Sequence, residues 1–412
     1  MREALVPIQN LVRPLISFPA LLILTKENSR FAISAGFNCG NMKGKHFWLR
    51  KVKSMKKKIV FTGGGSAGHV SVNAAIIPEF IENSWDVTYI GSEQGIEKSI
   101  IEKEFPQISY RTVAVGKLRR YLSLQNLKDP FKVIKGIFDA RKILKEVRPE
   151  FIFSKGGFVS VPVVLAGKML KIPILIHESD YTPGLANKIA MPFASKIFTT
   201  FQETAANLPE QKAMYIGAVL RDGIFKGNAA KGKIFCGFDS SRPVLLVMGG
   251  SLGAVKINNL ITENLDELLN SYQIIHICGK GNVKEDLKRK GYCPFEFVHE
   301  ELFDLLAASD VIVSRAGSNS IFEFLGLQKP MLLIPLSAQA SRGDQILNAA
   351  SFEKQGFSKV LQEEDATYQN FEAALHTLQE KSALYKDKMK KERPFKTAHE
   401  MYELLNGMMK NR

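Results

Sequence analysis

Cysteine is scarce in this chain. Four thiols in 412 residues, Cys39, Cys236, Cys278 and Cys293, lie far apart with no CxxC pair and no Cys/His cluster. That excludes a disulfide framework and a structural zinc site, and it points to a reducing compartment. Long apolar runs are missing too. The longest near the start, Ile16 to Leu24, has nine residues and is interrupted by Ser17 and Pro19, where a bilayer span needs roughly 20. It leads into no small-residue cleavage site, which argues against a secretory signal. No Asp-x-Asp pair occurs, so neither an obligatory metal nor another cofactor is predicted. Acidic residues are in deficit, 41 against 56 Lys and Arg, a net charge of +15. Such a surplus points to an anionic partner: nucleic acid, a membrane surface or a phosphorylated substrate. No aromatic-basic RNA-binding motif accompanies it, so a nucleic-acid reading rests on charge alone and no nucleic-acid partner is predicted.

What is present is enough chain for two or three domains at roughly 150 residues each. The composition, 45% hydrophobic and 24% charged, is ordinary for globular proteins. Residues 1–54 carry nine Lys/Arg against Glu3 and Glu27 and show no sustained helical or strand period. At Met55 the character changes to three lysines and a strand-like run into glycines. The leader therefore reads as a disordered extension or a mis-called start.

From Met55 short β-branched runs alternate with helical stretches, at 57–62, 86–90, 109–115, 150–154, 173–177 and 195–200. This is the rhythm of a doubly wound parallel sheet. It restarts at Pro243 to Met248, with further strands near 272–277, 294–298, 311–314, 331–335 and 357–361. The reading is α/β: two Rossmann-like domains joined near Tyr215 to Phe225, with an interdomain cleft at the carboxyl ends of the strands. The boundaries read as 55–218, 219–394, and a final helix over about 395–412 that crosses back onto the first domain or frays as an amphipathic end.

Gly63-Gly64-Gly65-Ser66-Ala67-Gly68-His69 follows the first strand and opens a helix. Its GxGxxG spacing lets backbone N–H groups approach a phosphate or charged acceptor through Gly64, Gly65 and Ser66. Alone, the motif points first to a generic nucleotide site, then to a structural tight turn, and least to a nicotinamide site. His69 stands at a helix start, where the dipole disfavours imidazolium, so a neutral ring acting as general base or a locally packed histidine are the two readings. A second glycine turn, Gly249 to Ala254, holds Ser251, a phosphate donor or an ordinary helix cap. Ser314 to Glu323 places a small polar loop ahead of a helix. Glu323 there suits the two hydroxyls of a ribose or a solvated face.

These motifs, in this order, resemble the MurG family of UDP-N-acetylglucosamine N-acetylmuramyl-(pentapeptide) pyrophosphoryl-undecaprenol N-acetylglucosamine transferases over almost all of 55–412. The resemblance is carried by the first glycine loop with His69, Phe153-Ser-Lys-Gly-Gly-Phe-Val-Ser-Val-Pro162, His177-Glu178, the second glycine loop, Arg315-Ala-Gly to Glu323, and Arg342 to Asn348. It implies a GT-B glycosyltransferase that moves GlcNAc from UDP-GlcNAc to the C4 hydroxyl of the MurNAc unit of lipid I. Lipid II would form with inversion, the donor sitting mainly on the second domain and the acceptor on the first. It further implies that Arg221 and Ser251 meet the donor diphosphate, Glu323 the ribose and Gln345 the sugar or nucleotide edge. Asn258 and Arg315 fall near the site. Asp180 stands where the family has asparagine and Asp344 where it has an amide. Phe158 replaces a tyrosine common in relatives, which removes a ring hydroxyl from the chemistry. His69 is the first choice for base, with Glu178 and Asp180 to orient it or substitute for it.

The stretch Gly116 to Lys145 holds nine Lys/Arg against Asp129 and Asp139. Beyond Pro130 it reads as an amphipathic helix, a basic-backed core helix or a membrane-contact helix. A lipid-linked acceptor favours the second, with Phe131, Lys132, Ile134, Lys135 and Phe138 meeting an anionic bilayer. The expected location is therefore peripheral, on the cytoplasmic side of the cell membrane. Contact with other cell-wall synthesis proteins is a further expectation. The rival enzyme reading, a Rossmann oxidoreductase, is disfavoured by the second glycine loop and by the absence of a clear acid ending strand two other than Glu93.

Overall fold

The structure, a computed structural model, describes residues 22–27, 30–35, 56–66, 68–116, 129–239, 241–250, 253–284, 286–339 and 343–410. The chain divides into Met1–Met55 and Lys56–Arg412. In the first unit β1 (Leu22–Glu27) and β2 (Arg30–Ala35) pair antiparallel, Leu22 opposite Ala35. Short runs such as Leu22-Ile-Leu and Phe31-Ala-Ile have enough β-forming side chains to pair once a partner lies beside them.

The described residues of the second unit form two large parallel sheets and a two-stranded parallel one. The first runs β3 (Lys58–Thr62), α1 (Gly68–Glu82), β4 (Asp86–Gly91), α2 (Ile96–Glu104), β5 (Ser109–Thr112), α3 (Asp129–Val147), β6 (Phe151–Ser154), α4 (Ser160–Met169), β7 (Ile174–Glu178), α5 (Leu185–Ala190), β8 (Lys196–Thr199), α6 (Gln202–Ala206) and β9 (Ala213–Tyr215). After β10 (Ala218–Leu220) and α7 (Ala229–Phe235) come β11 (Val244–Met248), α8 (Val255–Glu263), α9 (Leu265–Ser271), β12 (Gln273–Ile277), β13 (Tyr292–Phe295), α10 (Leu302–Ala308) and β14 (Val311–Ser314). The chain then continues through α11 (Ser318–Gly326), β15 (Met331–Leu333), α12 (Asp344–Gln355), β16 (Ser358–Val360), α13 (Tyr368–Glu380), α14 (Ser382–Lys391), β17 (Phe395–Thr397) and α15 (Ala398–Lys410).

Strand order is β5-β4-β3-β6-β7-β8-β9 in one sheet and β13-β12-β11-β14-β15-β16 in the other. Each order reverses at its first strand, β3 and β11, and the two glycine turns follow those strands. That is the switch point where doubly wound sheets bind ligands. Both faces are covered by helices, so runs such as Phe151-Ile-Phe and Val244-Leu-Leu-Val are apolar throughout and buried.

The halves are joined by β10, which pairs parallel with β17. Gly217 opens this joint at φ +73°, and a Cβ there would lie 2.2 Å from the Pro394 carbonyl oxygen. Helix α15 buries Met401, Tyr402 and Leu405 in the core of the first sheet. Tyr402 packs edge-on against Phe80 with ring centroids 4.9 Å apart.

Candidate active site

At the end of β3 the first glycine loop is braced from within. The Gly64 N–H donates to the Gly156 carbonyl at 3.3 Å, and the Gly65 N–H donates to Glu97 Oε2 at 3.1 Å. Gly157, at φ +80°, lies so close that a Cβ would sit 2.0 Å from the Gly64 oxygen. The Gly64 and Gly65 amides, expected to face a phosphate, have partners of their own here. Both donors are spent inside the protein, and a buried carboxylate at the loop repels an anion. Ser66 is exposed and its Oγ lies 3.0 Å from His69 Nδ1.

His69 is the second residue of α1 and half-buried. Its Nδ1 lies 3.0 Å from the Gly64 carbonyl oxygen. A carbonyl only accepts, so in the neutral ring Nδ1 carries the hydrogen and Nε2 the lone pair. The geometry therefore prepares Nε2 to take a proton.

Glu178 and Asp180 follow at the end of β7. The Glu178 carboxylate accepts from the Asp180 N–H at 3.0 Å, the Gly184 N–H at 3.0 Å and Asn187 Nδ2 at 2.9 Å. Burial, then the charge of Asp180, pushes its pKa up, while Lys155 and the Asn187 and Asp180 N–H donors pull it down. Through these bonds the Glu178 oxygens hold the 178–187 loop. Lys155 is also buried, with Nζ donating to Ser179 Oγ at 2.7 Å. Desolvation lowers its pKa, opposed by Glu178 and Asp180. The motif containing Lys155 was visible in sequence, but its burial required the fold.

Asp180 is tied across the cleft. Buried Asn348 of α12 donates through Nδ2 to Asp180 Oδ1 at 3.3 Å and to the Ala316 carbonyl at 3.1 Å, and its Oδ1 accepts from the Tyr181 N–H at 3.0 Å. Nearer His69, Asn319 Nδ2 donates to the Gly68 carbonyl at 3.2 Å and to Ser71 Oγ at 2.7 Å. The polar loop after β14 thus faces the start of α1.

On the second half, Arg221 and Glu323 come together, Nη2 to Oε1 at 3.1 Å, with the guanidinium over the Phe303 ring at 5.0 Å. Burial raises the Glu323 pKa against the charge of Arg221. Gln345 Oε1 accepts from the Leu336 N–H at 3.1 Å, which leaves its amide nitrogen as the donor end. Ser251 lies outside the described residues.

Two residues expected near the substrate have internal partners. Arg315 turns inward: Nη1 donates to the Ile334 and Pro335 carbonyls at 3.1 and 3.2 Å, and Nη2 pairs with Glu363. Asn258 donates to the Cys278 carbonyl at 2.9 Å and accepts from His276 Nε2 at 3.0 Å. Tyr292 completes this chain at His276 Nδ1, 3.0 Å away, and burial pushes the His276 pKa down to about 4. Asn258 therefore fixes the strand end behind the second glycine turn.

Two braced loops at two switch points, with a base-ready histidine on one side and a cation–carboxylate pair on the other, define a two-domain transferase of the GT-B type. Residues 59–199 match the Glycosyltransferase family 28 N-terminal domain and residues 244–402 the family's C-terminal domain. A Bacillus cereus UDP-N-acetylglucosamine–N-acetylmuramyl-(pentapeptide) pyrophosphoryl-undecaprenol N-acetylglucosamine transferase 2 is 59% identical over 336 residues, 81% of this chain and 95% of that protein. A Geobacillus thermodenitrificans transferase of the same name, without the numeral, is 56% identical over 82% of this chain and 95% of its own. Among solved structures, Acinetobacter baumannii MurG superposes with a TM-score of 0.68 at 21% identity, covering 85% of this chain and 99% of that one. The chain belongs to the MurG family of glycosyltransferases.

Proposed function

We infer that the protein transfers GlcNAc from UDP-GlcNAc to the C4 hydroxyl of the MurNAc unit of lipid I, forming lipid II in peptidoglycan synthesis. The observation that carries this reading is identity of 59% along 95% of a relative named for that transfer. The second half holds the donor. Arg221 offsets the charge that develops on departing UDP, Glu323 accepts from the ribose hydroxyls and the Gln345 amide meets the sugar or nucleotide edge. His69 Nε2 takes the C4 proton as the oxygen attacks the anomeric carbon opposite UDP, so one displacement inverts that centre. Incubation with labelled UDP-GlcNAc and a lipid I analogue tests this: label in the lipid with release of UDP is expected, and free GlcNAc or no turnover contradicts it. His69→Ala lowers turnover by roughly 10²- to 10⁴-fold with little change in donor affinity.

The acceptor is lipid-linked, and helix α3 suits a bilayer surface. Phe131, Ile134 and Phe138 are 73%, 51% and 62% exposed, with Lys132 and Lys135 exposed beside them. Gly136, Ala140 and Leu144 face inward on the opposite side. An apolar stripe flanked by lysines rests in an anionic interface. Among the described residues no helix is long and apolar enough to cross a membrane. The protein acts as a peripheral enzyme at the cytoplasmic face, where contact with other cell-wall synthesis proteins becomes available to it.

A further inference from the structure

Glu97 is fully buried in the first turn of α2 and belongs to no substrate contact described above. Its Oε1 accepts from the Ser92 N–H at 3.0 Å and the Ser92 hydroxyl at 2.5 Å, while Oε2 accepts from the Gly65 N–H at 3.1 Å. The chain makes room for it with glycine. A Cβ on Gly64 would lie 2.4 Å from Glu97 Cδ, and one on Gly95 would lie 2.2 Å from its oxygens. A buried carboxylate is costly unless donors satisfy it, and those of Glu97 come from Ser92 and the Gly65 peptide.

The N–H that Glu97 holds and the carbonyl that His69 Nδ1 meets belong to one peptide unit, Gly64–Gly65. A peptide that donates to a carboxylate becomes a stronger acceptor at its own oxygen, because hydrogen bonds in series polarise one another. Glu97 also fixes the peptide's direction. With Gly65 at φ +84° the loop is free to rotate this plane, and rotation would carry the oxygen away from the ring.

We propose that Glu97 is a positioning residue that acts on His69 through the Gly64–Gly65 peptide, a carboxylate–peptide–histidine relay. It sets the Nδ1–H tautomer, aims Nε2 at the acceptor hydroxyl and stabilises the ring as it takes the proton. No bond is made or broken in the relay; the proton leaves the C4 oxygen for Nε2. The inference rests on His69 being the base.

The test combines kinetics with nitrogen NMR on the full chain. Glu97→Gln keeps the shape but replaces one acceptor oxygen with a donor, so it cannot serve both Ser92 and Gly65. It is expected to lower kcat roughly 10- to 100-fold with the KM for UDP-GlcNAc within threefold of wild type. In a His69→Ala background it is expected to lower kcat less than twofold further, because residues acting as one unit are not additive. The ¹⁵N shifts of neutral His69 in the wild type should report hydrogen on Nδ1. An equal loss from Glu97→Gln in both backgrounds overturns the relay, as does a rise in donor KM in place of the fall in kcat. The wild-type shifts need no folded variant, and hydrogen on Nε2 also overturns it. Near-wild-type turnover of His69→Ala removes the base reading instead, and the tautomer then decides the relay separately.

Discussion

Replacing Phe131, Ile134 and Phe138 together by Ser should release the enzyme from anionic bilayers without harming its chemistry. The three side chains are 73%, 51% and 62% exposed. Complete burial of such a residue is worth about 1.5–3 kcal/mol relative to exposure. The fraction still exposed leaves roughly 1–2 kcal/mol each on entering the interface, or about 3–6 kcal/mol together. At about 1.4 kcal/mol per factor of ten, binding should weaken between about 10²- and 10⁴-fold. Reversing Lys132 and Lys135 to Glu removes a different contribution, on the order of 1 kcal/mol per lysine and sensitive to salt. Sedimentation with phosphatidylglycerol vesicles, at low and high salt, separates the two. The triple variant should lose binding at both salt levels and the charge reversal mainly at low salt, while turnover of a short-chain soluble acceptor stays within twofold. Unchanged vesicle binding by the triple variant would refute the assignment of this face.

Three further outcomes follow from the site and its supports. Gly157→Ala places a methyl group 2.0 Å from the Gly64 oxygen at a φ of +80°, so it displaces the carbonyl that orients His69. Steady-state kinetics should show kcat falling by about tenfold or more with donor KM little changed. Arg221→Ala leaves Glu323 buried without its cation and departing UDP without its counter-charge, and kcat/KM for UDP-GlcNAc should drop about 10²-fold or more. Arg221→Lys should recover only part of this, since one ammonium does not replace a fork held over Phe303. His276 stays neutral in the fold, its pKa pushed down to about 4, whereas the unfolded chain protonates near 6.5. The unfolded state therefore binds more protons between those values, and stability is lost as pH falls from about 6.5 to 4, by roughly 3 kcal/mol from this group. Urea midpoints at pH 7 and 4.5 should diverge less in His276→Gln than in wild type.

Much of the architecture was legible because parallel strands covered on both faces must be apolar throughout. Runs such as Val244 to Met248 announce themselves, and glycine turns mark where the strand order reverses. The three-residue strands β9, β10 and β17 carry too few side chains for any period and are defined by their neighbours; Gly217 against Pro394 is the clearest case. In the site, residue type and position after a strand pointed to His69 and Glu323, and the family resemblance added Arg221 and Gln345. Neither showed which donors were already spent. Arg315 reads as a residue near the substrate, and only the fold shows Glu363, 48 positions later, drawing it inward. The Gly65 amide looks like an anion donor until Glu97, 32 positions away, accepts from it. Asn348 gives no local sign of clasping the two halves, because its partners at 180, 181 and 316 are assembled only by the fold.

The most direct measurement is the product of one reaction between UDP-GlcNAc, carbon-13 labelled at its anomeric centre, and a lipid I analogue. Proton–carbon NMR reads both the new linkage and its configuration. The account predicts a β-linked GlcNAc on the C4 oxygen of MurNAc, inverted from the α-linked donor. An α-linked product, a linkage to another hydroxyl, or label found only in free GlcNAc would contradict it.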